Sequence, residues 1–356
     1  MGLARYITFK AINAVIILFI VVLIISYLFN DMNEKMAIGE IQEIVASKLQ
    51  QMGARLANLT EKEIEQLRET LFRRELEKRG LLEPLPIRVL RYAWKTFTFN
   101  FDPATRGKYS IFTGTETDDT RLIVLLAMAN TAMLFTTAEL IALAIGIFLG
   151  LQAARKIGSI LDRGISLIAM LSASLPMWWV GILMIYIFSY VIPIFPSVAR
   201  EHVPEEVLAD PFKYFVWTVH HLTLPLITIV LVSFGGIAWI SRNIVIGVMQ
   251  EDFVTTARAK GVPERKVVYG HVLRAASPPI VTMSAFGIIG SFFGAIISET
   301  VFQWPGMGQL YWTAINVNDT AVVMAVTYAS VFLIILVKFS LDLIYGILDP
   351  RVKTKW

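Results

Sequence analysis

The feature that most constrains this chain is a series of long apolar runs. A helix needs about 20 predominantly apolar residues to cross a hydrocarbon core of about 30 Å, and six segments reach that length. Only 17% of the residues are charged, against about a quarter in ordinary soluble domains. The sequence therefore predicts an all-α polytopic membrane protein with six transmembrane helices, over residues 11–29, 122–151, 165–192, 222–248, 278–300 and 321–346.

The first apolar run follows a basic start, a pattern that a cleaved signal peptide also shows. The run from Ala11 to Phe29 is longer than the apolar core of a usual signal peptide, and no small-residue cleavage site follows it. We therefore interpret residues 1–29 as an uncleaved N-terminal transmembrane helix.

The distribution of Lys and Arg over the loops predicts the orientation of the helices. Cytoplasmic loops carry an excess of these residues. The two short loops on the predicted outer side hold only Arg200 and Lys213. Both termini are therefore predicted to be cytoplasmic, with basic residues in the inner segments at Arg5, Lys10, Arg155, Lys156, Arg163, Arg258, Lys260, Arg265, Lys266, Arg274, Arg351, Lys353 and Lys355.

A polar insert of residues 30–121 follows the first span and is predicted to be extracytoplasmic. The stretch TEKEIEQLRETLFRRELEKRG is typical of a soluble helix, with a capping box of Thr60 and Glu63 and a stop at Gly80. The next stretch, PIRVLRYAWKTFTFNF, is amphipathic and has aromatic residues suited to a membrane interface. The predicted divisions are thus a span at 1–29, a helical insert at 30–121 and a five-span core at 122–356, with a cytoplasmic loop at 249–276.

That cytoplasmic loop, between spans four and five, has a distinctive pattern. QEDFVTTARAK favours a helix, Gly261 suits the position just after its end, and Pro263 suits the first turn of a second helix. The pattern predicts two short helices joined by a tight turn. The small residues Ala257, Ala259 and Gly261 would let another protein approach closely. An ordinary basic loop held by lipid phosphates is the alternative.

Several kinds of chemistry have no motif in the sequence. It contains no cysteine, no G-x-x-x-x-G-K-[ST], no H-E-x-x-H and no G-x-S-x-G. We therefore predict no cofactor, no metal site, no catalytic residue and no nucleic-acid partner. If ATP drives this protein, a different subunit must bind it.

Several stretches, in order, resemble the permeases of binding-protein-dependent dipeptide, oligopeptide and nickel importers of the ATP-binding-cassette class. The loop is similar to their EAA-type coupling loop, although Thr255, Thr256 and Ala257 stand where the broader pattern has Glu-Ala-Ala. Lys338 stands where the family usually has Asn. The similar stretches are TARAKG, HVLRAASPPIVT, ANTAMLFTTAELIALAIGIFLGLQAA, SLPMWWVGILMIYIFS, SETVFQWPGMGQL and DLIYGILDPRVK.

The resemblance implies partners and a mechanism. Two permease subunits, forming a heterodimer by the family pattern, would make one pore in the plasma or inner membrane, with lipid around them. Two cytoplasmic ATPases would dock on the coupling loops, and an extracytoplasmic binding protein would deliver substrate. The residues expected to meet the ATPase are Thr255, Thr256, Ala257, Arg258, Ala259, Lys260, Gly261, Pro263 and Arg265.

Charged residues and helix breaks inside the spans are candidates for the transport pathway or its gate. Each has a structural alternative: helix pairing for the carboxylates, a surface loop for FQWPGMGQL, and packing for the tryptophans. Lys338 and Asp342 are spaced to pair on one helix face. The pathway and gate candidates are Glu139, Pro176, Trp178, Glu299, Trp304, Pro305 and Gly306.

The predicted function is import of short oligopeptides, driven by ATP hydrolysis on partner subunits. Import of oligosaccharides by the same architecture is an alternative, because the spans hold no reliable substrate code. An ion-coupled secondary transporter would need buried carboxylates as ion sites and no docking loop. An intramembrane enzyme would need paired catalytic groups at membrane depth, and the sequence offers no such pair.

Overall fold

A computed structural model describes residues 3–53, 60–104, 107, 109–199 and 203–348. The regular secondary structure of these residues is helical, and no strand occurs among them. The predicted all-α class is therefore confirmed. Some residues used in the sequence analysis lie outside the described part, namely Arg200, Arg351, Lys353, Lys355 and the side chain of Asp342.

The helices differ greatly in length. A π-helical turn, Tyr186–Val191, extends the helix Met177–Ile185. Another, Val267–Val272, joins the helices Glu264–Lys266 and Leu273–Gly290, and a 3-10 turn, Ser291–Phe293, follows the second of these. In chain order the helices are α1 Leu3–Gln51, α2 Glu61–Lys78, α3 Leu85–Phe97, α4 Ser110–Thr113, α5 Thr120–Arg155, α6 Ile160–Ser174, α7 Met177–Ile185, α8 Glu205–Leu208, α9 Pro211–Met249, α10 Asp252–Ala259, α11 Glu264–Lys266, α12 Leu273–Gly290, α13 Ile296–Phe302, α14 Met307–Asn316 and α15 Thr320–Leu348.

Among the residues that the structure describes, five helical segments are long and apolar enough to cross a membrane. A sixth candidate is broken into Ile160–Ser172 and Met177–Val191, which meet at an angle of 97°. The break lies at Pro176, which has no N–H to continue a helix and favours extended backbone in the residue before it. The predicted third span is thus not one straight helix, and the other five candidates are Arg5–Met32, Thr120–Arg155, Pro211–Met249, Glu264–Gly290 and Thr320–Ser340.

The chain forms two compact units that are not contiguous in sequence. The first unit comprises Met1–Gly107, Asp118–Arg121 and Ala314–Trp356. The second comprises Lys108–Thr117 and Leu122–Thr313. The first unit therefore brings the first and last spanning helices together with the helices of the insert.

Within the first unit, α3 lies alongside α1. Near the start of α3, Arg88 Nη1 lies 3.0 Å from Glu34 Oε2, just beyond the first span. At its end, the ring of Phe97 meets the ring edge of Phe19, with centroids 5.5 Å apart. Because Phe19 lies near the middle of the first span, α3 runs from the end of that span towards its centre. Their shared core contains Leu18, Val22, Ala93 and Tyr328.

Helix α2 begins and ends as its sequence predicts. The backbone N–H of Thr60 donates to the Glu63 carboxylate at 2.8 Å, which is one half of the predicted capping box. After α2, Gly80 has a φ of +67°, a conformation that glycine adopts without steric cost. On its inner side, α2 packs through Leu71, Phe72 and Leu76 against a cluster of Ile41, Val45 and Leu81.

An ion pair also joins α2 to α1. Lys48 Nζ lies 2.8 Å from Glu75 Oε1, and Lys78 Nζ lies 3.0 Å from the same oxygen. Hydrogen bonds from Lys48 and then Lys78 lower the pKa of the Glu75 carboxyl. The contribution of this carboxylate to stability is therefore present at neutral pH and is lost as the pH falls through its lowered pKa.

The second unit is held together by close helix crossings at glycines. A Cβ atom on Gly146 of α5 would lie 2.6 Å from Ile237 Cγ2 of α9, and one on Gly235 of α9 would lie 2.7 Å from Ile168 Cγ2 of α6. Any side chain at these two glycines would push the helices apart. A core cluster of this unit contains Leu134, Phe135, Ala138, Ala142, Ala199, Leu224, Ile229, Val230, Phe302 and Trp304.

Candidate functional site

The coupling segment, residues 251–266, is fixed to three long helices by a cluster rich in valine. Val254 of α10 is completely buried, as is Val245 of α9. Because buried apolar side chains resist separation, α10 and the helix ends it touches must move together. The cluster contains Leu151, Ala154, Val245, Val254, Val267, Val268, Val272, Ala276 and Ile280.

The turn inside the coupling segment is a Schellman motif, which ends α10 as the sequence predicts. Gly261 has a φ of +74°, and its N–H donates to the carbonyl of Arg258 at 2.9 Å. The N–H of Val262 donates to the carbonyl of Ala257 at 3.2 Å. Pro263 then caps α11, one residue earlier than the position expected for it. The turn therefore has a single, defined backbone geometry.

The residues expected to meet an ATPase do not all point the same way. Ala257 is half-buried and packs against the valine-rich cluster, so it faces its own chain. Arg258 makes two hydrogen bonds across the turn to Glu264, at 2.8 and 3.2 Å, and so braces the turn. The exposed members of the set are Thr255, Thr256, Arg258, Ala259, Lys260, Gly261, Pro263 and Arg265.

Phe253 was missed by the sequence analysis. Its side chain is 44% exposed in the first turn of α10, while the next residue, Val254, is completely buried. An exposed aromatic side chain is a common anchor in protein interfaces. The available signal was that Phe253 is the one aromatic residue of segment 251–266.

Glu299, at the centre of α13, is completely enclosed. Its carboxylate accepts hydrogen bonds from Thr131 Oγ1 at 2.9 Å, from the N–H of Gly308 at 2.7 Å and from the N–H of Gln309 at 3.0 Å. The last two donors lie in the first turn of α14, where a negative charge is stabilised by the helix dipole. The carboxylate therefore ties α13, α14 and α5 together.

The tryptophan loop, residues 303–306, is fastened to α5 beside this carboxylate. Trp304 is 1% exposed and donates from Nε1 to the carbonyl of Asn130 at 2.9 Å. Asn130 Nδ2 donates to the carbonyl of Pro305 at 2.9 Å. A Cβ on Gly306 would lie 2.6 Å from Glu299 Oε2, so this glycine permits the close approach. The sequence-predicted candidates Glu299, Trp304, Pro305 and Gly306 thus form one site.

Comparison with known proteins decides the family. Residues 142–354 match the family described as the binding-protein-dependent transport system inner membrane component. This range covers more than half of the 356 residues and contains both the coupling segment and the tryptophan loop. The chain belongs to this family. The resemblance inferred from the sequence is therefore confirmed, and the permease is a multi-pass membrane protein.

Three relatives illustrate the similarity of this permease to characterised ones. It is 28% identical to the oligopeptide transport system permease protein AppB of Bacillus subtilis, over 78% of this chain and 84% of the relative. It is 33% identical to the di/tripeptide transport system permease protein DppB of Pseudomonas aeruginosa, over 63% and 70%. It is 30% identical to the dipeptide transport system permease protein DppB of Escherichia coli K12, over 79% and 84%.

Glu139 of the permease lies apart from the Glu299 site, further along α5. Its side chain is half-buried and lies directly over Gly287 of α12, where a Cβ atom would overlap the carboxylate. One turn away, Thr136 Oγ1 and Ser291 Oγ share a hydrogen bond of 2.8 Å. The contact between α5 and the end of α12 is therefore polar.

Pro176 and Trp178 lie at the break in the third span of the permease. Pro176 precedes α7 and separates it from the end of α6 at Ser174. Trp178 is 37% exposed. Further along α7, a Cβ on Gly181 would lie 2.9 Å from Phe302 Cε2. The break thus directs α7 against α13, the helix that carries Glu299.

A buried ion pair in the permease, Asp162 with Arg242, was also missed. Arg242 of α9 binds the Asp162 carboxylate of α6 through two nitrogen atoms, with Nη2 at 3.0 Å from Oδ2. The same carboxylate accepts from the N–H of Gly158 at 2.7 Å. The side chain of Asp162 is only 6% exposed. Arg242 is a charge inside a predicted span, and that was the overlooked signal.

Proposed function

We propose that this permease is the membrane-spanning subunit of an ATP-driven importer that takes up short oligopeptides from an extracytoplasmic binding protein. The printed functions of its relatives, which are oligopeptide, di/tripeptide and dipeptide transport, support the substrate class. The observation that carries the proposal is the coupling segment. It is braced, exposed on one side and fixed to three long helices on the other.

In the proposed mechanism, the cytoplasmic ATPases bind the exposed side of the coupling segment. ATP is bound and hydrolysed on those two subunits, and a second permease subunit completes the pore. When the ATPases close, they displace α10. Because Val254 lies in one packed cluster with residues of α5, α9 and α12, the displacement passes to these helices. The termini of the permease lie in the cytoplasm, on the ATPase side.

At the other end of the pathway, we assign the tryptophan loop to the outer gate and to contact with the binding protein. Glu299 acts there as a positioning residue, because its enclosed carboxylate holds α13 and α14 in place. Irregular backbone at membrane depth is tolerated where protein buries it or where it lines a water-filled cavity. Pro176 and Trp178 belong to the same gate region through the packing of α7 on α13.

Oligosaccharide import is the alternative with the same architecture. A transport assay distinguishes it from peptide import. The complete complex is reconstituted in liposomes with its binding protein and ATP, and uptake of a labelled tripeptide is compared with that of a labelled trisaccharide. Peptide uptake that requires ATP supports the proposal. Uptake of the sugar alone assigns the alternative, and uptake driven by an ion gradient without ATP assigns a secondary transporter.

The docking role of the coupling segment is tested by co-purification of the permease with its candidate ATPases. Asn and Asp are the residues that best tolerate positive φ after glycine, so both Gly261→Asn and Gly261→Asp preserve the turn. No atom lies within 4 Å of a Cβ built at Gly261, so either side chain projects from the exposed surface. Only Gly261→Asp places a negative charge there.

We expect the wild type and Gly261→Asn to recruit the ATPases and Gly261→Asp to recruit at least about tenfold less, because a misplaced charge at an interface costs more than 1.4 kcal/mol. Equal recruitment of the ATPases by both variants would show that the docking surface does not include the turn. If the folded wild type recruits no ATPase, the importer proposal itself fails.

A further inference from the structure

Glu139 places a carboxylate near the middle of a membrane-spanning helix. At 1.5 Å per residue, Glu139 lies about 27 Å along α5 from Arg121 and about 24 Å from Arg155, the nearest basic residues of the helix on either side. The stretch between these two residues is longer than a hydrocarbon core of about 30 Å, and Glu139 lies near its middle. Ionisable side chains at such depth face the protein interior or a water-filled cavity, and they pair with other groups.

Glu139 lacks such a pairing within the part of the chain that the structure describes. Among the residues that the structure describes, none donates a hydrogen bond to its carboxylate or forms an ion pair with it. Glu299, by contrast, accepts three hydrogen bonds and is completely enclosed. The two carboxylates therefore differ in their hydrogen bonding. Glu299 is bonded to donors of its own chain, whereas the half-buried Glu139 carboxylate has no donor among the described residues.

The surroundings of Glu139 hold the carboxylate in one place and add polar groups beside it. Gly287 has no side chain to cover the carboxylate, and a methyl group there would collide with it. Thr136 of α5 and Ser291, the residue directly after α12, share a hydrogen bond of 2.8 Å one turn away. A fixed carboxylate beside hydroxyl groups at membrane depth is suited to a small cationic group.

We propose that Glu139 binds the N-terminal ammonium group of the peptide during its passage, an inference that rests on the proposed import of peptides. A transporter of short peptides with varied side chains can rely only on groups that all of them share. The N-terminal ammonium is the only cation present in every unblocked peptide. A neutral oligosaccharide has no corresponding group, so Glu139 would also contribute to substrate selection.

The proposal is tested with the complete importer in proteoliposomes. Uptake of trialanine is compared with uptake of Nα-acetyl-trialanine, which has no ammonium group. The binding protein is saturated with each peptide beforehand, so that its own preference does not set the ratio. Uptake is expressed per ATP hydrolysed. The variants are Glu139→Gln, the charge-preserving Glu139→Asp, and Thr137→Ala as a control at an exposed neighbouring position on α5.

We expect the wild type to prefer the free peptide roughly tenfold or more, because the hydrogen bond to a charged group is lost on acetylation. Glu139→Gln should take up both peptides at the low rate of the acetylated one. Glu139→Asp and Thr137→Ala should retain the preference. An unchanged ratio in Glu139→Gln, or an equal loss for both peptides, would overturn the assignment.

Further outcomes distinguish this inference from the proposed function. If Glu139→Gln no longer assembles with the second permease subunit, the carboxylate pairs with a cation of that subunit, and the proposal is wrong. If the wild type takes up neither peptide, the proposed function of peptide import is wrong. Uptake of both peptides by the wild type with no effect of Glu139 contradicts only the present inference.

Discussion

The hydroxyl group of Thr131 connects the tryptophan loop to Glu299. It donates to the Glu299 carboxylate at 2.9 Å and accepts from the N–H of Met307 at 2.7 Å. Thr131 is completely buried, so no water is available to replace either bond. A single side chain on α5 thus satisfies two groups on the segment that carries the proposed gate.

We expect Thr131→Val to destabilise the permease by about 1–3 kcal/mol, because it leaves two buried polar groups without this partner while preserving the shape of the side chain. Thr131→Ser keeps the hydroxyl and is the matched control. Thermal unfolding in detergent measures the difference. If Thr131→Val and Thr131→Ser unfold at the same temperature, the two hydrogen bonds do not hold the loop.

Helix α10 has one buried surface and one exposed surface, and we assign them different roles. Val254 is completely buried in the valine-rich cluster, whereas Phe253, one position earlier, is 44% exposed. One face attaches the helix to its own chain, and the other is available to a partner. Adjacent residues therefore separate attachment from docking.

We expect Val254→Ala and Phe253→Ala to change different properties of the permease. Val254→Ala should cost about 2 kcal/mol of stability by leaving a cavity, and should lower uptake per ATP while ATPase recruitment persists. Phe253→Ala should leave stability unchanged and weaken ATPase binding by about tenfold or more, as removal of an aromatic anchor does. Thermal unfolding and co-purification measure the two quantities. Identical behaviour of the two variants would contradict the division into faces.

Sequence reasoning predicted the elements whose signals are local. Gly261 and the break at Pro176 follow from the backbone preferences of two residue types, and the spans follow from continuous apolar runs. Contacts between distant parts of the chain were not predictable in the same way. The pair of Asp162 and Arg242 spans 80 residues, and the glycine beneath Glu139 lies on another helix. Such contacts depend on how helices cross, which no single segment encodes.

At the scale of the whole molecule, the insert is part of a unit that includes both terminal spans. Helix α2 covers Ile41 and Val45 on the extension of α1, and α3 packs near Tyr328 of α15. Removal of α2 alone would therefore expose an apolar surface on α1. A deletion that leaves the unit intact must remove both sides of that cluster.

We expect deletion of residues 40–80 to abolish capture of substrate from the binding protein while the ATPase complex still assembles, because we propose this part of the insert as the docking platform. Leu81 packs against Ile41, so the cut ends lie close and a short Gly/Ser linker can join them. Co-purification checks assembly, and transport assays with the binding protein check capture. Uptake at the wild-type rate would refute a platform role.

The pairing of the first and last spans has a consequence for biosynthesis. The hydrogen bond from Tyr328 to the carbonyl of Phe97 joins residues 231 positions apart. At about 5–20 residues per second, roughly 10–45 s of translation separate the two groups. The whole of the second unit, residues 108–117 and 122–313, is synthesised within that interval. Completion of the first unit therefore depends on a stretch that begins at Ala314, which is synthesised after the whole of the second unit, so a chain truncated before it would lack a complete first unit.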